Sequence, residues 1–180
     1  MKNLFLSIFL FFGWSINSHS QNLENLDLKY GFNKFKLESS FQNYHEDLEY
    51  YTTLDNGVKF YKYTKKDVNI FGFSDIQEIK LGFYKNKLYT IDISMGVLTF
   101  LNNDGMYSTI FMKLVELFGY PNQTSPGDSE KGLEDINQWV TKKTGLGLEK
   151  NSCSSIVRPC TVTIFLISQV IQRQINNDGF

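Results

Sequence analysis

Apolar and polar residues alternate with a period of two along one stretch of this chain and recur at helical spacing along the next. Ile79, Leu81 and Phe83 alternate with Lys80, Gly82 and Tyr84. Beyond Lys85-Asn86-Lys87, Tyr89, Ile91 and Ile93 alternate with Leu88, Thr90 and Asp92. Successive side chains of a strand point to opposite faces, so two such runs around a short polar connection predict a β-hairpin with one buried face. Tyr107, Ile110, Phe111, Leu114 and Phe118 then follow i, i+3, i+4, i+7 spacing, in a stripe widened by Met106 and Leu117. That stripe predicts a helix over 104–118. Asn103 or Asp104 can cap its start, Gly119 can end it, and Pro121 blocks its resumption.

Weaker patterns fill in the rest. Phe41, Tyr44 and Leu48 share a helical face behind a Ser39 or Ser40 cap, with Gln42 where a capping-box partner would sit. The turn Asp55-Asn56-Gly57 leads into a strand-like run over 58–63. Residues 122–132, rich in polar residues, Pro and Gly, read as a loop. Strands follow around Trp139 (136–141), at 145–149 and at 161–168. The last has so little alternation, through Val162, Ile164, Phe165, Leu166 and Ile167, that it reads as a central strand buried on both faces. A short helix is predicted from Gln169. The expected fold is α+β: an antiparallel sheet with helices packed on one face, in two helix-plus-three-strand units without detectable sequence identity. Its domain spans 35–168, after a polar lead at 21–34 and before a tail at 169–180.

The first twenty residues concern address. Lys2 gives a positive start, Leu4 to Trp14 is almost wholly apolar, and Ser18-His19-Ser20 supplies small residues before Gln21. This is the layout of a secretory signal peptide, with cleavage expected after Ser20. The apolar run is too short to span a bilayer, which takes about 20 residues, so no membrane insertion is expected after cleavage. Such an aromatic-rich signal ending in Ser-Gln resembles those of secreted Bacteroidetes proteins, implying a periplasmic or secreted location. In an oxidising compartment the two cysteines, Cys153 and Cys160, are expected to form a structural disulfide; they lack the C-x-x-C spacing of redox sites.

A family resemblance accompanies the hairpin and helix. Leu81-Gly82-Phe83-Tyr84-Lys85-Asn86-Lys87-Leu88-Tyr89-Thr90-Ile91 is followed by a helix ending in Phe118-Gly119-Tyr120-Pro121 and then by a strand bearing Trp139. This succession resembles the helix-plus-antiparallel-sheet scaffolds of outer-membrane assembly accessory proteins and the β-lactamase-inhibitor protein. It covers roughly residues 35–168. It implies a scaffold that binds other proteins, and it carries over no catalytic residue. The chain departs from the assembly lipoproteins in having no lipid-attachment cysteine after its apolar start.

Charge and chemistry narrow the function. Eighteen basic and nineteen acidic residues leave a net charge of −1, which becomes −2 if Lys2 is removed with the leader. Charge so near neutral argues against a nucleic-acid partner held by bulk electrostatics. The cluster Lys62, Lys65 and Lys66 reads as a lysine-protected strand edge. His45 with Glu46 starts like a zinc-protease motif, but the second ligand position is Glu49. No G-x-S-x-G, S-x-x-K or phosphate-cradling glycine motif is present. The repeated Asn-Asn-Asp-Gly at 102–105 and 176–179 has one carboxylate per copy, too few for a calcium loop. Glu46, Asp47, Glu49 and Asp55 could include a general acid–base pair, but without an apolar pocket around them nothing separates that from ordinary surface charge, and no cofactor is expected.

About half of the strand aromatics must point away from a helix-covered face, and an aromatic sheet face suits protein or glycan contact. The expected function is therefore a secreted, non-enzymatic domain that binds another envelope or extracellular protein through its open sheet face or edge. Tyr61, Tyr63 and Tyr84 are the candidate contacts. The alternative is a carrier of a small ligand or glycan, with a pocket between helix and sheet lined by Trp139. An envelope hydrolase using His45 or paired carboxylates ranks below both.

Overall fold

The computed structural model describes residues 18–72, 76–97, 100–127, 135–151 and 160–179. Helix α1 (Ser18–Lys29) leads into a small hairpin, β1 (Gly31–Phe32) and β2 (Phe35–Lys36). Two single 3-10 turns, Phe41–Asn43 and His45–Asp47, precede a run of four strands. These are β3 (Leu48–Thr53), β4 (Lys59–Tyr63), β5 (Ile76–Tyr84) and β6 (Lys87–Val97). Helix α2 (Phe100–Phe118) is followed by β7 (Gln123–Ser125), β8 (Ile136–Val140), β9 (Thr144–Asn151) and β10 (Cys160–Ser168), and then by α3 (Gln169–Asn177).

The fold is α+β. Eight strands form one antiparallel sheet in the order β3-β4-β5-β6-β10-β9-β8-β7. Each half is a helical segment followed by a four-strand meander, and the last strands of the two meanders pair at the centre. Each unit thus holds one strand more than the sequence pattern predicts. In the first unit the extra strand is β3, within and beyond the expected Ser39 helix. Tyr50, Tyr51, Thr52 and Thr53 favour a pleated strand over a helix, so only the two 3-10 turns remain of it. In the second it is β7, inside the expected loop.

The central hairpin is built as predicted, with one change of face. Lys85 and Asn86 take φ of 47° and 63°, the left-handed pair that a two-residue type I′ turn requires, so Lys87 already belongs to β6. Gly82 pairs with Thr90 but Phe83 pairs with Leu88, which leaves Tyr89 as the extra residue of a bulge. The bulge reverses the alternation: Leu88 joins Ile91 and Ile93 in the main core, and Tyr89 moves to the opposite face.

The main core lies between α2 and the sheet. Ile110 and Leu114 of α2 are fully buried against a floor that includes Ile91, Ile93, Met95, Leu148 and Ile164. Helix α2 begins at Phe100 rather than Asp104, whose carboxylate instead accepts from Lys150 Nζ at 2.7 Å. Gly119, at φ 78°, ends it, and the Gly119 carbonyl accepts from Trp139 Nε1 at 2.7 Å. Helix α1 packs beside α2 and buries Leu26, so the polar lead contributes to this core. It also runs through the Ser20–Gln21 position; the apolar stretch of the expected signal peptide lies outside the described residues, as does Cys153. Cys160 opens β10 opposite Val97.

Helix α3 turns onto the other face, capped by Ser168 Oγ accepting from Ile171 N at 3.2 Å. Its Ile171 and Ile175 form a small second core with Val58, Tyr84 and Tyr89. It covers only part of that face. In β10, accordingly, Val162, Ile164 and Leu166 are buried while Thr163, Phe165 and Ile167 are half-buried. The strand is central, as expected, but fully buried on one side alone.

Candidate binding face

The surface that remains partly uncovered is the sheet face opposite α2, beside the second core under α3, against which Phe60 and Ile167 pack. The pairing register places its residues in rows. Lys62, Lys80, Asp92, Phe165 and Gly147 follow one another across β4, β5, β6, β10 and β9. Phe60, Gly82, Thr90 and Ile167 form the adjacent row; Ser94, Thr163 and Glu149 form the row on the other side. Of these, Phe60, Thr90, Asp92, Glu149, Thr163, Phe165 and Ile167 line an open groove of ≈ 340 Å³, with the exposed Leu54 at one rim.

Glycines shape the floor of this groove. A Cβ at Gly147 would collide with the ring of Phe165, and one at Gly82 would come within 3.1 Å of the Phe60 ring. The Phe165 ring therefore lies over the bare backbone of Gly147 on β9, and the Phe60 ring and the Thr90 methyl share the space over Gly82 on β5, so that the groove has one half-buried phenylalanine towards either side.

Two carboxylates stand in this groove. Asp92 is the cross-strand neighbour of Phe165, and burial holds its carboxyl above the usual carboxylate range against the opposing pull of Thr90 and Lys80. Thr90 Oγ1 donates to Asp92 Oδ1 at 2.7 Å. Burial likewise raises the Glu149 carboxyl, which gains no hydrogen bond or ion pair from the described residues. The lysines of the face are occupied elsewhere: Lys62 and Lys80 both bond Glu78, at 2.8 and 2.7 Å, and both lie over the Tyr51 ring. The groove thus offers an apolar floor, the hydroxyls of Thr90 and Thr163, and two incompletely compensated acids. Such a surface can take an apolar side chain and a hydrogen-bond donor or cation side by side.

The residues singled out from sequence lie elsewhere. Trp139 is fully buried beneath α2, and the ring of Phe111 packs 6.1 Å from it. Tyr63 is buried on the same side, bonded to Lys34 and Asp67. Tyr61 is half-buried in an aromatic group with Phe41, Tyr50 and Phe83. Tyr84 is buried under the end of α3, where its hydroxyl donates to Asp178; this gives the second Asn-Asn-Asp-Gly a structural role. The four do not converge, and only Tyr61 retains appreciable exposure. His45 sits in a 3-10 turn with Nδ1 2.8 Å from the Gln42 carbonyl. Glu49 is already in β3, so the helix face that would bring the two together does not form. Among the described residues, no group of three or more His, Cys, Asp or Glu could hold a metal ion. Lys65 pairs with Asp47 at 2.6 Å, and the edge strand is β3 rather than the lysine-bearing β4.

A second depression lies between α1, the β1–β2 turn and the end of α2. It is apolar, lined by Leu26, Phe32, Ile70 and Phe118, and encloses ≈ 220 Å³. Among the described residues no helix is long and apolar enough to cross a membrane. Comparison with protein-family models, with curated proteins and with solved structures finds no match.

Proposed function

We propose that this chain is an exported, non-enzymatic binding domain that takes another protein on the sheet face opposite α2. The observation that carries the reading is the half-buried ring of Phe165, spread over Gly147 outside both cores, with Phe60 half-buried at the margin of the second core on a face that α3 covers only at one end. A fold that needed this face only for stability would bury those rings, because apolar surface left in water forgoes about 25 cal/mol per Å². Aromatic rings with flanking polar groups are the usual anchors of protein interfaces. The scaffold resemblance in the hairpin and helix points the same way.

A carrier of a small ligand is less well supported. The depression between α1 and α2, at ≈ 220 Å³, falls below the roughly 300–1,000 Å³ of typical ligand pockets. The groove is open along its length. The test is variant-dependent capture. Tagged protein should recover the same partner from source-cell envelopes as wild type when Met112, exposed on α2, becomes Ser. It should lose that partner when Phe60 and Phe165 both become Ser. Capture that survives the double change would remove the open face from the interface.

A further inference from the structure

We infer that the groove receives an arginine side chain of the partner, its guanidinium stacked on the Phe165 ring and its N–H groups directed to Asp92 and Glu149. This rests on the proposed binding role of the same face and names the chemistry it selects.

Charge complementarity supplies the first reason. On this part of the face Glu78 is satisfied by both Lys62 and Lys80, Glu49 stands across the strand pair from Lys62, and Asp92 and Glu149 are left without an ion-pair partner among the described residues. Lys80 stands across the strand pair from Asp92, but its ammonium lies 2.7 Å from Glu78. Half-buried carboxylates without a counter-charge are costly to the free protein, and a cation brought by a partner removes that cost.

The aromatic floor supplies the second. The chain's own cations already lie over aromatic faces elsewhere: Lys62 and Lys80 over Tyr51, Lys34 over Tyr63, Lys150 over Tyr107. Among the described residues none lies over Phe60 or Phe165. A guanidinium is planar and weakly hydrated, stacks on aromatic rings, and forks its donors towards carboxylates; a lysine ammonium does none of these as well. The register fits such a group. Phe165 lies beside Asp92 along one row, and Glu149 lies two residues along the neighbouring strand from Gly147, on which the ring rests. A cation over that ring meets a carboxylate on either flank. Leu54 and Ile167 extend the apolar surface beyond the reach of one side chain, as a segment of a protein partner would require.

The test titrates the isotopically labelled full chain with acetyl-arginine amide and with acetyl-citrulline amide, which has the same shape but no charge, followed by NMR. The arginine probe should shift the Phe60, Thr163 and Phe165 signals saturably. The citrulline probe, and the arginine probe on the Asp92→Asn/Glu149→Gln protein, should each bind about tenfold more weakly or worse, as expected for loss of a charge-assisted contact. Equal binding of the two probes, unchanged binding by the double variant, or no response in these residues would overturn the inference. Partner capture separates it from the reading beneath it. Capture lost on changing Phe60 and Phe165 but indifferent to Asp92→Asn/Glu149→Gln keeps the open face and discards the arginine.

Discussion

The two faces of the central sheet are made from the same strands and differ in almost everything else. Under α2, Ile91, Ile93, Met95 and Ile164 are fully buried among apolar neighbours. On the reverse of those strands stand Thr90, Asp92, Ser94, Thr163 and Phe165, half-buried apart from Thr90 and mostly polar. The first face satisfies packing; the second carries two raised carboxylates and two rings whose burial is incomplete. The difference shows that beyond the second core the reverse face is packed less completely than the covered one, and the proposed binding role rests on the residues of that part.

Substitution at matched depth on the two faces gives the largest contrast. Ile93→Ala opens a cavity at the centre of the core and should cost about 2–5 kcal/mol in urea unfolding. Phe165→Ala, on the adjacent strand but the other face, should cost about half as much or less, since part of its ring surface stays in water and its loss leaves no closed cavity. Losses of similar size would make Phe165 part of the second core rather than of an open face, and remove the case for binding there.

The Phe165 ring can be displaced from below. Gly147→Ala places a methyl where the Phe165 ring lies and should cost about 1–3 kcal/mol as an overpacked site. Because one ring causes the conflict, Phe165→Ala in the same chain should recover most of the loss, a coupling readable in a double-mutant cycle. Additive losses would mean that the ring does not rest on Gly147.

Much of the covered face was legible in the sequence. The helix stripe from Tyr107 to Phe118, the Gly119 stop and the alternation of Ile79, Leu81 and Phe83 report burial against one partner, which period alone reveals. The reverse face was harder to read for three physical reasons. A one-residue bulge at Tyr89 inverts the alternation halfway along the hairpin, and period-two reading has no signal for it. The apolar residues of Phe165 and Ile167 look like a second buried face unless one knows that Gly145 and Gly147 lie opposite them and that α3 covers one end only. Aromatic content alone does not assign a ring to a face, so Tyr63, Tyr84 and Trp139, which serve the cores, stand out in the sequence before Phe165 does. The Gly145-x-Gly147 pair beside an alternating Thr163-x-Phe165-x-Ile167 was the available clue.

The smallest effect is also the one that best separates a binding face from a folding face. Burial raises the Asp92 carboxyl in the folded chain, so folded protein holds this proton to a higher pH than unfolded protein, where an aspartate ionises near about 3.9. Between those two values the folded state binds more protons, and stability falls as pH rises through the window. Below it Asp92 is neutral in both states and contributes no such penalty; above it the penalty is constant. Asp92→Asn removes the titration while keeping the size of the side chain. The variant should therefore gain on wild type as pH is raised from about 3.5 into the neutral range, then hold a steady advantage. Carboxyls shifted the other way, such as Glu78 beside Lys62 and Lys80, cancel in that difference. Urea unfolding of the two proteins across this range measures it. A gap that does not change with pH would mean that Asp92 is as well solvated folded as unfolded, and that the reverse face holds no charge at the expense of stability.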